Sequence, residues 1–332
     1  MGRKFVELII EKKDIIMNDY NLEPLIVAAV GTKGGAIDKN GLVLQEILKT
    51  KEEYICTNLN KWRKGVSGLK AIEDTKPNVV LEAGPTNLDT GEPGLSHAIA
   101  ALSQGIHFVT LSKGPIVCSY NKLHQLAKEN NAYLKFSGAT AAALPTIDVA
   151  MYCLAGTEIS SIQGILNGTT NYILSQMTYN GITYEDALLK AQQKGIAESD
   201  PRLDIEGWDT AAKILILANT VMNAGLKIND LNVKGITDIT LDEIYKAKNE
   251  GNVIKLVGEV VNTFSGVKVN IGPKLLPFNH PLAAVNGATK GVCFNTDTMG
   301  ELTIIGGKSD PKSAAAAALK DILTIYRPTG KL

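Results

Sequence analysis

An α/β fold, a Rossmann-like doubly wound parallel sheet (first strand missing) followed by a second α+β domain, is predicted by three observations. Short apolar, β-rich runs alternate with helical patterns through the first 136 residues. Those runs lack polar alternation, as strands covered on both faces do. Beyond Leu231 the pattern changes to several β-rich runs separated by turns. The 332 residues suffice for a substantial core and two domains. The expected division is 1–136 plus 306–332 for the first domain, and 137–305 for the catalytic and dimerisation domain.

In chain order, MGRKFVELIIEKK reads as a helix. A dinucleotide-binding sheet opens instead with a strand and GxGxxG, whose glycines let the backbone approach a pyrophosphate. Gly2 would then stand for the last glycine of that fingerprint. The expectation is a chain shortened by one strand and its turn, on the order of ten residues, with weakened cofactor binding. LIVAAV (Leu25–Val30), NVVLEAG (Asn78–Gly84) and HFVTL (His107–Leu111) are the candidate parallel strands. LVLQEILK and GLSHAIAALSQG are the helices between them, the second closed by Gly105. Ligands of such sheets sit beyond the carboxyl ends of the strands, so the loops after Val30, Ala83 and Leu111 are expected to share a site.

The small-residue run SGATAAALPTIDVAM starts a helix at or just after Pro145. SSIQGILNGTTNYILSQM holds a strand, a tight Asn167-Gly168-Thr169-Thr170 turn and a helix. Free N–H groups and hydroxyls at a helix start suit a carboxylate. KLVGEVV, GVKVNIG, GVCFNTD and ELTIIGG predict an open sheet, and SAAAAALKDILTIY a final helix.

Lys+Arg and Asp+Glu number 34 each, and no basic stretch is interleaved with aromatics, which argues against a nucleic-acid partner. Cys56, Cys118, Cys153 and Cys293 are scattered without a CxxC pair, as reduced buried thiols are. With no long apolar span and no signal peptide, no membrane partner is expected and the predicted compartment is the cytoplasm.

The segment from Gly195 to Lys213 concentrates Glu198, Asp200, Asp204, Glu206 and Asp209 with Arg202, directly before the apolar run ILILANTVM. Charges at the edge of a core are costly unless paired or used. Asp209 and Lys213 stand four apart, on one helix face, carboxylate first. An ordinary helix ion pair meets that spacing; so does a proton donor held by a carboxylate. Lys113, two residues past HFVTL and backed by Gly114-Pro115, is either a solvated lysine or a site residue.

This acidic segment, with GILNGTTNYIL (Gly164–Leu174) and HFVTLSKGP (His107–Pro115), resembles the homoserine dehydrogenase signature in order and spacing. The resemblance spans nearly the whole chain. It implies interconversion of L-aspartate 4-semialdehyde and L-homoserine, in the branch leading to threonine and methionine, by a homodimer acting on a small amino-acid substrate. It implies Lys113, Lys213 and Asp209 as catalytic residues, and Gly168, Thr169, Glu198 and Asp204 as substrate contacts. Gly84, Pro85, Thr86 and Lys113 would meet the nicotinamide end of the cofactor. In GTKGG (Gly31–Gly35) no acid awaits the adenosine ribose, and Thr32 and Lys33 suit a 2′-phosphate. NADP is therefore expected, with NAD as the alternative.

Three departures from the family stand out. Ser112 replaces the Asn usual before the lysine. Ser137 stands where a sodium-binding glutamate is usual, so no metal is expected. Lys308 in Gly306–Asp310 replaces a small residue. No kinase-like or regulatory extension is read in the chain. Two rival readings are a dehydrogenase of another small amino-acid alcohol and a cofactor-impaired homologue acting as a binding or scaffold protein.

Overall fold

The computed structural model describes residues 1–49 and 61–327. Cys56 lies outside them. Two compact units result: Met1–Ala139 with the chain from Asp310, and Thr140–Ser309.

The first unit opens with α1 (Gly2–Glu11) and α2 (Lys13–Tyr20). The apolar face of α1 buries Phe5, Val6, Leu8 and Ile9. There follow β1 (Ala28–Gly31), β2 (Gly34–Ile37), α3 (Leu44–Lys49), β3 (Trp62–Lys64) and α4 (Gly68–Thr75). Then come β4 (Val79–Glu82), α5 (Gly94–Leu102), β5 (His107–Thr110), α6 (Gly114–Glu129) and β6 (Leu134–Lys135). Strands β4, β5 and β6 run parallel in that order, joined by helical crossovers, with Phe108 and Val109 fully buried. This is the predicted α/β alternation.

The run Leu25–Val30 departs from expectation. It yields the short β1, which pairs antiparallel with β2, and β2 pairs antiparallel with β3, in a sheet separate from β4-β5-β6. Glycine is the reason. Gly31 and Gly34 face each other across the two-residue turn Thr32-Lys33, a length that favours a hairpin. A Cβ on Gly34 would lie 2.4 Å from the Arg63 carbonyl, and one on Gly35 2.8 Å from the Val30 side chain. GTKGG is therefore a hairpin, and the loop after Val30 does not end a strand of the parallel sheet.

A helical turn, α7 (Ser137–Ala141), occupies the start of the small-residue run, ahead of the helix expected at Pro145. The second unit continues with α8 (Thr146–Asp148), begun behind Pro145 as predicted, a π-helical turn Val149–Cys153, β7 (Ile159–Ile165) and α9 (Gly168–Asn180). Next are α10 (Tyr184–Gln193), α11 (Arg202–Ile205), α12 (Trp208–Met222), β8 (Asn232–Val233) and α13 (Leu241–Asn249). The last strands are β9 (Asn252–Thr263), β10 (Gly266–Pro277), β11 (Lys290–Thr296) and β12 (Glu301–Gly306). They form an open sheet in the order β12-β11-β7-β9-β10-β8, antiparallel except for the β10–β8 pair. The final helix, α14 (Pro311–Ile325), belongs to the first unit and packs on α1 and β5.

Helix α12 carries the catalytic candidates Asp209 and Lys213, and its position follows from its composition. Ile214 to Ala218 are buried in unbroken succession. A Cβ on Gly258 of β9 would touch Ile214 and Thr210 at 3.1–3.2 Å, so this glycine lets helix and sheet approach closely. Among the thiols, Cys293 is buried and Cys118 half-buried, whereas Cys153 is exposed, contrary to the reading of buried thiols.

Candidate active site

In the second unit the end of β7, the start of α9, the short α11 and the first turns of α12 meet. Lys213 Nζ donates to Asp209 Oδ2 at 2.5 Å and to the Leu166 carbonyl at 2.8 Å. Both side chains are largely covered, at 15% and 13% exposure. That covering separates the pair from an ordinary surface ion pair, which gains little. Asp209 lies in the first turn of α12, where a carboxylate also meets the positive end of the helix dipole.

Asn167 ties this pair to Asp204. Its amide donates to Asp204 Oδ1 at 2.7 Å and to Asp209 Oδ2 at 2.8 Å. Its carbonyl oxygen caps α9 by accepting from the Thr170 N–H at 2.9 Å. One buried side chain thus caps the helix and separates two carboxylates. Burial, and then the charge of Asp209, push the Asp204 carboxyl up, and hydrogen bonds from Thr169 and Asn167 offset this only in part.

Gly168 and Thr169 supply the first N–H groups of α9, which have no intrahelical acceptor. A Cβ on Gly168 would stand 2.9 Å from the Ala288 carbonyl, so only glycine fits against that loop. The Thr169 hydroxyl is engaged by the Ile196 carbonyl at 3.1 Å. Its backbone, rather than its side chain, is the candidate substrate contact.

Glu198 stands apart. It is exposed, its carbonyl accepts from Gln192 Nε2 at 3.2 Å, and among the described residues no hydrogen bond joins its carboxylate to the cluster. Asp200 and Arg202 pair locally and in solvent, at 2.8 and 2.5 Å, which draws Asp200 down to about 2.

Sequence reasoning named Asn167 only as part of a turn and missed Lys290 altogether. Lys290, at the start of β11, is 1% exposed and donates to the Ala141 carbonyl. Burial, with the nearby Lys213 ammonium, depresses it to about 8. An Asn between a strand and a helix was a signal for the first. A lone lysine opening a strand offers none.

The first unit places Gly84, Pro85, Thr86 and Lys113, four of the candidate cofactor contacts, at the carboxyl ends of β4 and β5. Buried Ser112 donates its hydroxyl to the Pro85 carbonyl at 3.1 Å, and the Lys113 N–H donates to Thr86 Oγ1 at 3.3 Å. Glu82 accepts from the Gly84 N–H at 2.7 Å and pairs with His97 Nδ1 at 2.7 Å. Lys113 stands at the N-cap position of α6 and is half-buried. Thr32 and Lys33 form the exposed hairpin tip, and Gly2 begins α1, 4.0 Å (as a virtual Cβ) from the Ala83 side chain. Backbone groups and small hydroxyls at strand ends, before a 16-residue helix, fit a nicotinamide and its phosphates. The hydroxyl and ammonium of Thr32-Lys33, with no carboxylate in that turn, fit a 2′-phosphate. Ser137 is bound through its N–H and hydroxyl to Asp321, at 3.0 and 2.8 Å. No group of three or more metal-ligating His, Cys, Asp or Glu side chains occurs among the described residues.

A family model described as homoserine dehydrogenase matches residues 145–323. A homoserine dehydrogenase of Methanocaldococcus jannaschii is 38% identical over 332 residues, covering 100% of this chain and 97% of the relative. An NAD(+)-dependent homoserine dehydrogenase of Pseudomonas canavaninivorans is 37% identical over 257 residues, covering 77% of this chain and 73% of the relative. The solved structure of a hyperthermophilic archaeal homoserine dehydrogenase in complex with NADPH superimposes with a TM-score of 0.82 at 27% identity. That superposition covers 99% of this chain and 95% of the other.

Proposed function

The chain belongs to the homoserine dehydrogenase family, and from that premise we propose that Lys213, held by Asp209, is its proton-transfer residue. The reaction interconverts L-aspartate 4-semialdehyde and L-homoserine with a nicotinamide cofactor, a step of amino-acid biosynthesis. The cofactor, when bound, supplies or accepts the hydride. The remaining chemistry is a proton: an aldehyde oxygen that gains electron density needs one, and a positioned ammonium provides it.

One observation carries the assignment. Lys213 is shielded, its Nζ is fixed by a carboxylate and a carbonyl, and Asn167 fixes that carboxylate in turn. A lysine so held loses little freedom when it donates. Asp204, beside the first N–H groups of α9, is assigned to the substrate hydroxyl. Gly168 and Thr169 are assigned to its carboxylate through their backbone. Glu198, open to solvent, is assigned to its ammonium. Lys113 is assigned to the nicotinamide end of the cofactor and the substrate, Gly84, Pro85 and Thr86 to the nicotinamide loop, and Gly2 to the pyrophosphate side. Thr32 and Lys33 are assigned to the 2′-phosphate of NADP, with NAD as a second cofactor. The active form is proposed to be a homodimer in the cytoplasm.

Lys213→Ala is expected to lower kcat by about 10²–10⁴-fold, the usual range for general acid help, with KM for the aldehyde within a few-fold of the parent. Unchanged kcat in a folded variant would reject the role.

A further inference from the structure

We propose that Lys255 is a positioning residue for the substrate: through the loop 285–289 it fixes the turn at Gly168 that takes the substrate carboxylate. The inference rests on the assignment of the Gly168 and Thr169 backbone to that carboxylate.

Lys255 reaches the loop from β9. Its Nζ donates to the Val285 carbonyl at 2.5 Å, to Asn286 Oδ1 at 2.9 Å and to Asn171 Oδ1 at 3.1 Å. An ammonium has three protons to give, and these bonds use all of them. Asn171, on α9, closes the arrangement. Its amide donates to the Val285 carbonyl at 3.1 Å and to the Thr289 carbonyl at 3.0 Å, the two ends of the loop. Ser175, one turn further along α9, accepts from the Gly287 N–H at 3.0 Å. Gly287 turns the chain there with a φ of 62°, which glycine adopts at little cost. Ala288 follows, exposed, and its carbonyl stands 2.9 Å from the Cβ that another residue would carry at position 168. The braced loop thus bears directly on the first residue of α9.

Lys255 and Asn171 are 2% and 1% exposed and Val285 is fully buried, so water scarcely competes for these bonds. An ammonium buried among neutral acceptors is costly. Methionine would fill a space between β9 and α9 at less cost. What the ammonium adds is a tie to the loop, through charge-assisted bonds roughly twice as strong as neutral ones. Backbone donors bind a charge best when they are held in place before it arrives. Because Lys255 is covered, it acts through the loop and not on the substrate itself. Loosening the loop should weaken substrate binding before and during the reaction alike, which raises KM and spares kcat.

The test is steady-state aldehyde reduction at pH 7 by the parent, Lys255→Met, Asn286→Ala, Asn286→Asp and Gly168→Ala enzymes. Burial lowers Lys255 only to about 8, so at pH 7 it is an ammonium. Asn286 is half-buried, and its variants keep the test decisive should Lys255→Met fail to fold. Lys255→Met is expected to raise the KM for L-aspartate 4-semialdehyde about ten- to thirtyfold, and Asn286→Ala about three- to fivefold. The kcat and the cofactor KM should stay within about twofold of the parent. Asn286→Asp keeps an acceptor for Lys255 and should show the parent KM. A parent-like aldehyde KM in the folded Lys255→Met and Asn286→Ala variants, with a raised one in Gly168→Ala, would overturn the inference and leave the turn as the carboxylate site. Parallel losses in kcat and cofactor KM would make Lys255 a folding residue only and overturn it as well. A parent-like aldehyde KM in Gly168→Ala would overturn the carboxylate assignment and the inference with it.

Discussion

The two units hold their candidate residues by different means. In the second, side-chain charges fix one another: Lys213 on Asp209, Asn167 on Asp209 and Asp204, and Lys290 nearby, all wholly or largely covered. In the first, the strand ends are stitched mostly by bonds to the backbone, through Ser112, Thr86 and Glu82, and the hairpin tip at Thr32-Lys33 is exposed. The contrast suits the chemistry. Proton transfer needs charges in a low-dielectric setting, where they act strongly. A cofactor that enters and leaves needs a surface of donors and acceptors. Energetic consequences should therefore concentrate in the second unit.

The largest expected effect is a pH dependence. Lys255, 2% exposed on β9, has among the described residues only the neutral acceptors Asn171, Val285 and Asn286, and desolvation lowers it to about 8. Between about 8 and its ordinary 10.5 the unfolded chain holds this proton and the folded one does not. Its contribution to stability therefore rises with pH across that window, and the full penalty applies below it. The folding free energy of Lys255→Met minus that of the parent should shift in the parent's favour by about 3 kcal/mol between pH 8 and 10.5. Denaturant titrations at both pH values measure this, and a constant difference would show that Lys255 keeps its proton when buried, so that burial does not lower it.

Asn167→Ser comes next. Serine preserves an N-cap acceptor but is too short to bridge Asp204 and Asp209. Loss of charge-assisted hydrogen bonds worth about 1.5–3 kcal/mol should lower kcat by roughly 10- to 100-fold with little change in melting temperature. A matched loss of both would make Asn167 a folding residue only.

In the first unit the effects should be smaller. Ser112→Ala removes one hydrogen bond to the Pro85 carbonyl, about 1 kcal/mol, and is expected to raise the cofactor KM roughly fivefold while sparing kcat. Lys33→Ala should be smaller again, since an exposed charge contact contributes about 0–1 kcal/mol. The KM for NADP should rise a few-fold and that for NAD should not move. Equal changes for both cofactors would remove Lys33 from the 2′-phosphate.

How much of this was legible in the sequence follows the same division. The Asp209–Lys213 pair was readable because helix periodicity fixes which residues share a face, and the apolar run behind it implied cover. Gly168 was readable as a tight turn. The strands β4 and β5 were readable from unbroken apolar runs. Leu25–Val30 was misread because the same signal serves parallel strands and hairpins, and the glycines that decide between them act through contacts with Arg63 and Val30. Lys290 and Lys255 were missed for a related reason. A lysine in a strand is solvated by default, and only the packing of distant segments, Ala141 for one and Val285 for the other, reveals that it is buried.

Chemical rescue of Lys213→Ala is the most direct test of the proton-donor assignment. Single-turnover reduction of L-aspartate 4-semialdehyde would be followed at the nicotinamide absorbance, with and without added ethylamine. The account predicts a rate reduced by about 10²–10⁴-fold and restored in part by ethylamine, in proportion to its ammonium form. A rate within threefold of the parent, or a slow rate that no ammonium rescues, would contradict it.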